Sequence, residues 1–286
     1  MSSVLLRVEN LTKDFPVRYL FRRHEAVHAV DHVTFEVRRG SAVGLVGESG
    51  SGKSTTARCI MRLIEPTSGR ILFDGEDVTS VEGPDKKRLR RSMQIVFQDP
   101  YSSLNPRMWV EDIVSEGLRI HKLVGSDEER RARVIELLEL VGMERAHLRR
   151  KPSALSGGQL QRIGIARALA VDPKLLICDE PVSSLDVSIQ AQILNLFRDL
   201  QQRLELTMLF IAHDLATVRH LCDYIVVMRD GRVVEQGSRE QVYGDPQDPY
   251  TQELMAAVPV PDPELERERR QLRRRLAAAA DAARKA

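Results

Sequence analysis

The sequence predicts an α/β fold: a mixed sheet core, an antiparallel β part at its N-terminal end, and an inserted helical lobe. Three observations carry that expectation. Short continuous apolar runs, of which Ala42-Val43-Gly44-Leu45-Val46 is the clearest, read as strands buried on both faces. β-branched residues crowd positions 4–37. Between Gln98 and Pro173 the pattern changes to helical periodicity, and strands alternating with helices indicate an α/β sheet with a second lobe at about residues 98–173.

Taken in order, residues 4–8 read as a strand and residues 27–37 as one or two more, ending at Arg39-Gly40. The run at 42–46 leads straight into Gly47-Glu48-Ser49-Gly50-Ser51-Gly52-Lys53-Ser54-Thr55, after which residues 56–64 have helical character. Further buried strands are expected at 93–97, 174–178, 208–212 and 224–228. The clearest helix is 127–141: Val134, Leu137, Leu138 and Val141 form its apolar stripe, and Ser126 with Asp127, Glu128 and Glu129 supplies a capped, acidic first turn. Pro259, Pro261 and Pro263 close the folded part. The Glu/Arg-rich and then Ala-rich stretch 264–286 is expected to be a solvated tail.

Bulk properties exclude several classes of function. A net charge of +2 gives no global reason to expect a nucleic-acid partner. No apolar run reaches the roughly 18–20 residues of a transmembrane helix, and the first residues lack the pattern of a secretory signal, so a cytosolic location is expected. Cys59, Cys178 and Cys222 have neither zinc-ligand nor redox-motif spacing and are expected to be buried, reduced core residues. His24, His28 and His32 recur at every fourth position. On a strand they would share a face but lie about 13 Å apart, too far to share a metal.

The chemistry is expected at three places. Gly47-x-x-x-x-Gly52-Lys53-Ser54 matches the phosphate-binding loop in full: its glycines let backbone N–H groups converge on an anion, and the following helix points its positive end at the same place. Lys53 would reach the β- and γ-phosphates, and the Ser54 hydroxyl would face Mg²⁺. Next, the apolar run 175–178 delivers Asp179 and Glu180 to a strand end, where ligands collect in parallel sheets. Asp179 suits the Mg²⁺ shell, and Glu180 suits a general base acting on water. Finally, Leu155-Ser156-Gly157-Gly158-Gln159 opens a helix, making a second glycine-rich helix N-terminus suited to an anion. A plain serine cap also fits Ser156 chemically.

With these motifs the sequence resembles the ABC ATPase family over nearly all of residues 4–258, in the family's motif order. The resemblance implies a P-loop ABC-type ATPase domain and a set of further roles. Gln98, within Val96-Phe97-Gln98-Asp99-Pro100, is similar to the glutamine that senses Mg²⁺ and couples to membrane subunits. Asp186, closing Ser183-Ser184-Leu185-Asp186, resembles the loop that communicates across a dimer. His213 resembles the switch histidine at the γ-phosphate, and Phe15 the aromatic that stacks on adenine, with Tyr19 as a competitor and core packing as the other reading of Phe15. The family closes two ATPase domains head to tail, ATP lying between the phosphate loop of one and the signature residues Ser156, Gly157, Gly158 and Gln159 of the other. That implies an identical or homologous ATPase partner, two transmembrane permease subunits, a separate substrate-binding protein, and a place at the cytoplasmic face of the membrane.

A narrower resemblance, to the oligopeptide/dipeptide importer branch, rests on Phe97 through Met108, on Glu180 through Gln192, and on Asp248-Pro249-Tyr250-Thr251 within a C-terminal element at 244–263. Asp248 stands where the branch usually has histidine. Phe15-Pro16-Val17 resembles the second of the two ATPase subunits such systems carry. No cysteine follows Cys222, so the iron–sulfur cluster of many branch members is not expected. The branch also handles nickel and glutathione. Intact Lys53, Asp179, Glu180 and His213 weigh against a non-hydrolysing subunit, and the absence of zinc modules weighs against a soluble ATPase of DNA repair.

Overall fold

The computed structural model describes residues 3–17 and 25–257. His24, Tyr19, the three prolines after Val258 and the tail 264–286 lie outside the described residues. Along the chain the first elements are β1 (Val4–Val17), β2 (Glu25–Arg38), β3 (Ala42–Val46), α1 (Lys53–Ile60), β4 (Ser68–Phe73), β5 (Glu76–Asp77), α2 (Gly83–Ser92) and β6 (Met93–Val96). A helical stretch follows: α3 (Pro100–Ser103), α4 (Val110–Ile120), α5 (Asp127–Leu140) and α6 (Gly157–Leu169). The remainder is β7 (Leu175–Asp179), α7 (Val187–Leu204), β8 (Thr207–Ala212), α8 (Leu215–Val218), β9 (Tyr224–Arg229), β10 (Arg232–Ser238), α9 (Arg239–Gly244) and α10 (Pro249–Ala257).

The strands form two sheets. One is antiparallel, in the order β2-β1-β4-β5. The other is mixed, in the order β10-β9-β3-β8-β7-β6, parallel throughout except where β10 runs against β9. This is the α/β architecture with an antiparallel N-terminal part that the sequence predicts.

The parallel strands are apolar at successive positions because both faces of the sheet are covered. Ala42 and Val46 of β3, with Leu176 and Cys178 of β7, face a core completed by α4, α5 and α6. Val43, Leu45, Leu175 and Ile177 face the opposite core, shared with β1, β2 and α1. In the first core Phe197 and Phe210 meet edge to face, 5.5 Å between ring centres. Val134, Leu137, Leu138 and Val141 are all buried there, and the Ser126 hydroxyl caps α5 by accepting from the Glu129 amide at 3.1 Å.

Several expectations shift. β1 continues past residue 8 to Val17 by pairing with β2, and irregularities in that pairing, with Asn10 at φ 47, break the alternation by which the extension would be read. Residues 27–37 belong to one strand, not two. Helix α1 stops at Ile60 rather than 64: Arg62 takes φ 55, and the amides of Leu63 and Ile64 both return to the Arg58 carbonyl. His28 and His32 each bind a carboxylate, Asp14 and Asp31 respectively. Cys59, Cys178 and Cys222 are buried, and burial pushes the Cys59 thiol up to about 11. Among the described residues no helix is long and apolar enough to cross a membrane.

Candidate functional site

The phosphate loop joins β3 to α1, and its backbone leaves no room for side chains at two points. Gly47 sits at φ 152, where an added Cβ would come within 3.0 Å of the Met228 carbonyl oxygen at the end of β9. Gly52 sits at φ 99, and its Cβ would collide likewise with the Ala29 carbonyl of β2. The loop is thus wedged between the two sheets. Glu48, Ser49 and Gly50 form its exposed rim, while Ser51 and Lys53 are buried and Ser54 and Thr55 half-buried.

Lys53 spends its three ammonium donors inside the loop: on the Gly47 carbonyl at 2.7 Å, the Glu48 carbonyl at 2.8 Å and the Ser51 hydroxyl at 3.3 Å. Burial pushes its pKa below the ordinary lysine range, and the carboxylates of Glu180, Asp179 and Glu48 pull it back. Two acidic residues from the end of β7 therefore share the electrostatic environment of this lysine. The Ser54 hydroxyl donates to the Asp179 carboxylate at 2.7 Å, joining the first turn of α1 to the end of β7.

Glu180 follows in a left-handed conformation, φ 48, its amide donating to the Ile211 carbonyl of β8 at 3.1 Å. A non-glycine residue held there is an exception that the surrounding sheet enforces. Glu180 and His213 line one small cleft with Pro181 and Phe210, so the ends of β7 and β8 bring these two residues together. His213 is exposed, its Nε2 3.3 Å from the Asp214 carboxylate.

The other candidates lie on connected loops. The Gln98 side chain is exposed, while its carbonyl accepts from the Ser184 hydroxyl at 3.0 Å, tying the segment after β6 to the one that ends at Asp186. Asp186 is exposed at the start of α7. Ser156 caps α6: its hydroxyl accepts from the Gln159 amide, and the Gln159 side chain accepts in return from the Ser156 amide at 3.0 Å. Gly158 packs against Ile189 at the beginning of α7. Phe15 is exposed in β1, with the Lys13 ammonium 5.1 Å from its ring, and pairs with Val27 of the strand whose Ala29 abuts Gly52.

Three contacts escape sequence reasoning. Besides the Ser184–Gln98 bond, the buried Gln161 of α6 donates to the Phe97 carbonyl at 3.3 Å, and the Tyr250 hydroxyl of α10 accepts from the Glu48 amide at 2.9 Å. Each joins a side chain to a backbone group far away in sequence, which no local pattern encodes.

The ABC transporter family matches residues 30–183, which spans the phosphate loop, the signature segment and the acidic pair. The chain belongs to the ABC transporter family. Two similar proteins extend the likeness across most of its length. The oligopeptide transport ATP-binding protein OppF of Bacillus subtilis (strain 168) is 51% identical over 265 residues, 92% of this chain and 85% of that protein. The dipeptide transport ATP-binding protein DppF of Lactococcus lactis subsp. cremoris (strain MG1363) is 53% identical over 237 residues, 82% of this chain and 76% of that protein. Residues 234–284 match a second family, the oligopeptide/dipeptide transporter C-terminal region. Among solved structures, a dimeric ATP-binding cassette in a post-hydrolysis state, bound to ADP and Pi, superimposes with a TM-score of 0.73 at 31% identity, covering 82% of this chain and 99% of that one. As an ABC ATPase the chain hydrolyses ATP, and the segments at the ends of β3, β7 and β8 are where its architecture gathers groups suited to that reaction.

Proposed function

We propose that this ABC ATPase powers a peptide importer, binding ATP at the phosphate loop and hydrolysing it with Glu180 as general base. The observation that carries the site assignment is the Ser54–Asp179 bond of 2.7 Å, which places a hydroxyl and a carboxylate at one point beside the buried Lys53. Peptide cargo is supported by the match of residues 234–284 to the oligopeptide/dipeptide transporter C-terminal region and by the names of the relatives.

In this reading the backbone amides of the loop Gly47 to Thr55, that of Glu48 aside, and the Lys53 ammonium hold the phosphates. The oxygen donors of Ser54 and Asp179, with the Gln98 side-chain amide, are hard ligands of the kind Mg²⁺ takes, so the residues present fit that cation. When bound, Mg²⁺ supplies positive charge against the phosphate oxygens. Glu180 accepts the proton of the attacking water, its backbone fixed by Ile211, while His213 across the same cleft contacts the γ-phosphate. Phe15 offers an exposed ring to adenine.

The second cradle, Ser156 to Gln159, serves the ATP of a partner ATPase, identical or homologous, with Asp186 at the seam between them. Two permease subunits and a separate substrate-binding protein complete the assembly at the cytoplasmic membrane face. No nucleic acid takes part. Among the described residues no cluster of histidine, cysteine, aspartate or glutamate is arranged to hold a metal on its own.

The test is sedimentation of Glu180→Gln with and without Mg-ATP, with nucleotide binding and turnover measured in parallel. Retained binding with turnover slowed by about 100-fold or more is expected from loss of a general base. An unchanged rate would remove Glu180 from that role. An ATP-dependent dimer would make a homodimeric motor feasible, and binding without dimerisation would point to a different ATPase subunit.

A further inference from the structure

Tyr250 belongs to the C-terminal helix α10, yet its hydroxyl accepts a hydrogen bond from the amide of Glu48, on the rim of the phosphate loop. That amide shares its peptide unit with the Gly47 carbonyl, which accepts from Lys53 Nζ at 2.7 Å. A single planar unit is therefore held on its N–H side by Tyr250 and on its C=O side by Lys53. Gly47, at φ 152, carries no side chain to resist rotation of that plane, so these two bonds set its orientation.

The tyrosine is firmly seated. The residue is 3% exposed, and its ring lies under the Arg229 guanidinium at 4.8 Å. The Asp248 carboxylate accepts from the Tyr250 amide at 2.8 Å, and Glu235 of β10 accepts from the amides of Gln247 and Asp248 at 2.9 and 3.0 Å. A connected path thus runs from β10 through the start of α10 to the loop. Arg229 also ends β9, one residue beyond the Met228 carbonyl that crowds Gly47.

The two holds differ in what nucleotide does to them. Lys53 has all three donors on loop oxygens, so engaging phosphate means releasing some of them. Tyr250 faces the loop from a separate element and need not let go. We propose that Tyr250 is a positioning residue for ATP: it fixes the Gly47–Glu48 peptide so that the phosphate loop keeps its shape when Lys53 turns to phosphate. The segment carrying it, within the match to the oligopeptide/dipeptide transporter C-terminal region, is then part of the nucleotide site. This rests on the phosphate-loop reading above.

The experiment compares the full chain with Tyr250→Phe, which keeps the ring beneath Arg229 and removes only the acceptor. Affinity for a fluorescent ADP analogue and the KM for ATP are expected to weaken by about three- to tenfold, as loss of one hydrogen bond gives, with kcat nearly unchanged. The thermal midpoint without nucleotide should stay close to that of the parent. Parental affinity and KM overturn the proposal, as does a fall in affinity that only tracks a fall in thermal midpoint. Should phenylalanine loosen α10, amide exchange in the unsubstituted chain decides: protection at Glu48 supports the tether and free exchange there overturns it. Lys53→Ala serves as control. Normal nucleotide binding in that variant sinks the phosphate-loop reading itself. Loss of binding there beside parental binding in Tyr250→Phe sinks only the proposal for Tyr250.

Discussion

Gly47 and Gly50 stand three residues apart in one loop, and the structure assigns them different costs on gaining a methyl group. At Gly50, φ 86, an added Cβ meets nothing within 4 Å. Gly50→Ala therefore carries only the conformational penalty of a left-handed residue, about 1–2 kcal/mol. At Gly47, φ 152 lies in a region that is essentially glycine's alone, costing about 1–3 kcal/mol. There the Cβ would also overlap the Met228 carbonyl oxygen and come within 3.0 Å of Ser51 Oγ, and relieving such overpacking costs about 1–3 kcal/mol more. The midpoint for Gly47→Ala is about 4 kcal/mol, which for a chain of this size lowers the thermal midpoint by roughly 8–16 °C, against roughly 2–8 °C for Gly50→Ala. Because Met228 is backbone at a strand end, relief must come from the loop, so Gly47→Ala should also weaken ATP by at least tenfold more than Gly50→Ala does. Calorimetric melting and nucleotide titration of both variants measure this. Equal losses in the two, or a Gly47→Ala chain that melts and binds like its parent, would refute the claim that the Met228 carbonyl leaves no room for a side chain at Gly47.

Other expectations follow from single contacts. Lys53→Ala removes a charged donor set aimed at phosphate and should weaken ATP by about 10- to 150-fold, the range for hydrogen bonds to charged groups, and abolish turnover; a binding titration reads the first and phosphate release the second. Asp74 is held by Lys174 and Arg39, and these bonds, the one to Lys174 foremost, keep its carboxyl below the ordinary aspartate value of 3.8. Its contribution is therefore complete above that value and lost as pH falls through the lower folded value; it is a surface network worth about 1 kcal/mol at most. Denaturant unfolding of Asp74→Asn should show a deficit at neutral pH that closes in acid, and a deficit constant with pH would contradict it. Ser126→Ala deletes the cap of α5 and should cost about 1 kcal/mol, read as a lowered thermal midpoint.

How far the sequence discloses this molecule depends on what each residue faces. The parallel strands are legible because Val43, Leu45, Leu175 and Ile177 point into one core and Ala42, Val46, Leu176 and Cys178 into the other, leaving no polar position to blur the run. β4 and β10 are not legible: in Ser68–Phe73 only Ile71 and Phe73 are buried, and in Arg232–Ser238 only Gly237, so pairing partners and, for β10, the edge position decide them. The same divide runs through the site. Gly47, Gly52 and Lys53 are readable because a phosphate loop needs those residue types at those spacings, and Asp179 because it closes an apolar strand run. The bonds Ser184–Gln98, Gln161–Phe97 and Tyr250–Glu48 end on backbone groups, which every residue possesses, so no residue type at the receiving position betrays them.

The groups assigned to phosphate already have partners within the chain. Lys53 is bound to its own loop, Ser54 to Asp179, Ser156 to Gln159, and His213 lies beside Asp214. None of these side chains is among the buried polar groups left unsatisfied in the described residues. ATP therefore exchanges internal hydrogen bonds for new ones, and each exchange yields less than a bond made to an unpartnered group would. A ligand shifts a conformational equilibrium only by its differential affinity for the two states. In the proposed head-to-tail pair that difference comes from the signature residues of the partner ATPase, which reach the same γ-phosphate only when the pair is closed. Binding to one chain alone should thus alter it little, and closing should depend on the intact triphosphate. On the proposed reading, cleaving the γ-phosphate removes the group both cradles share, so hydrolysis releases the closed state rather than driving it.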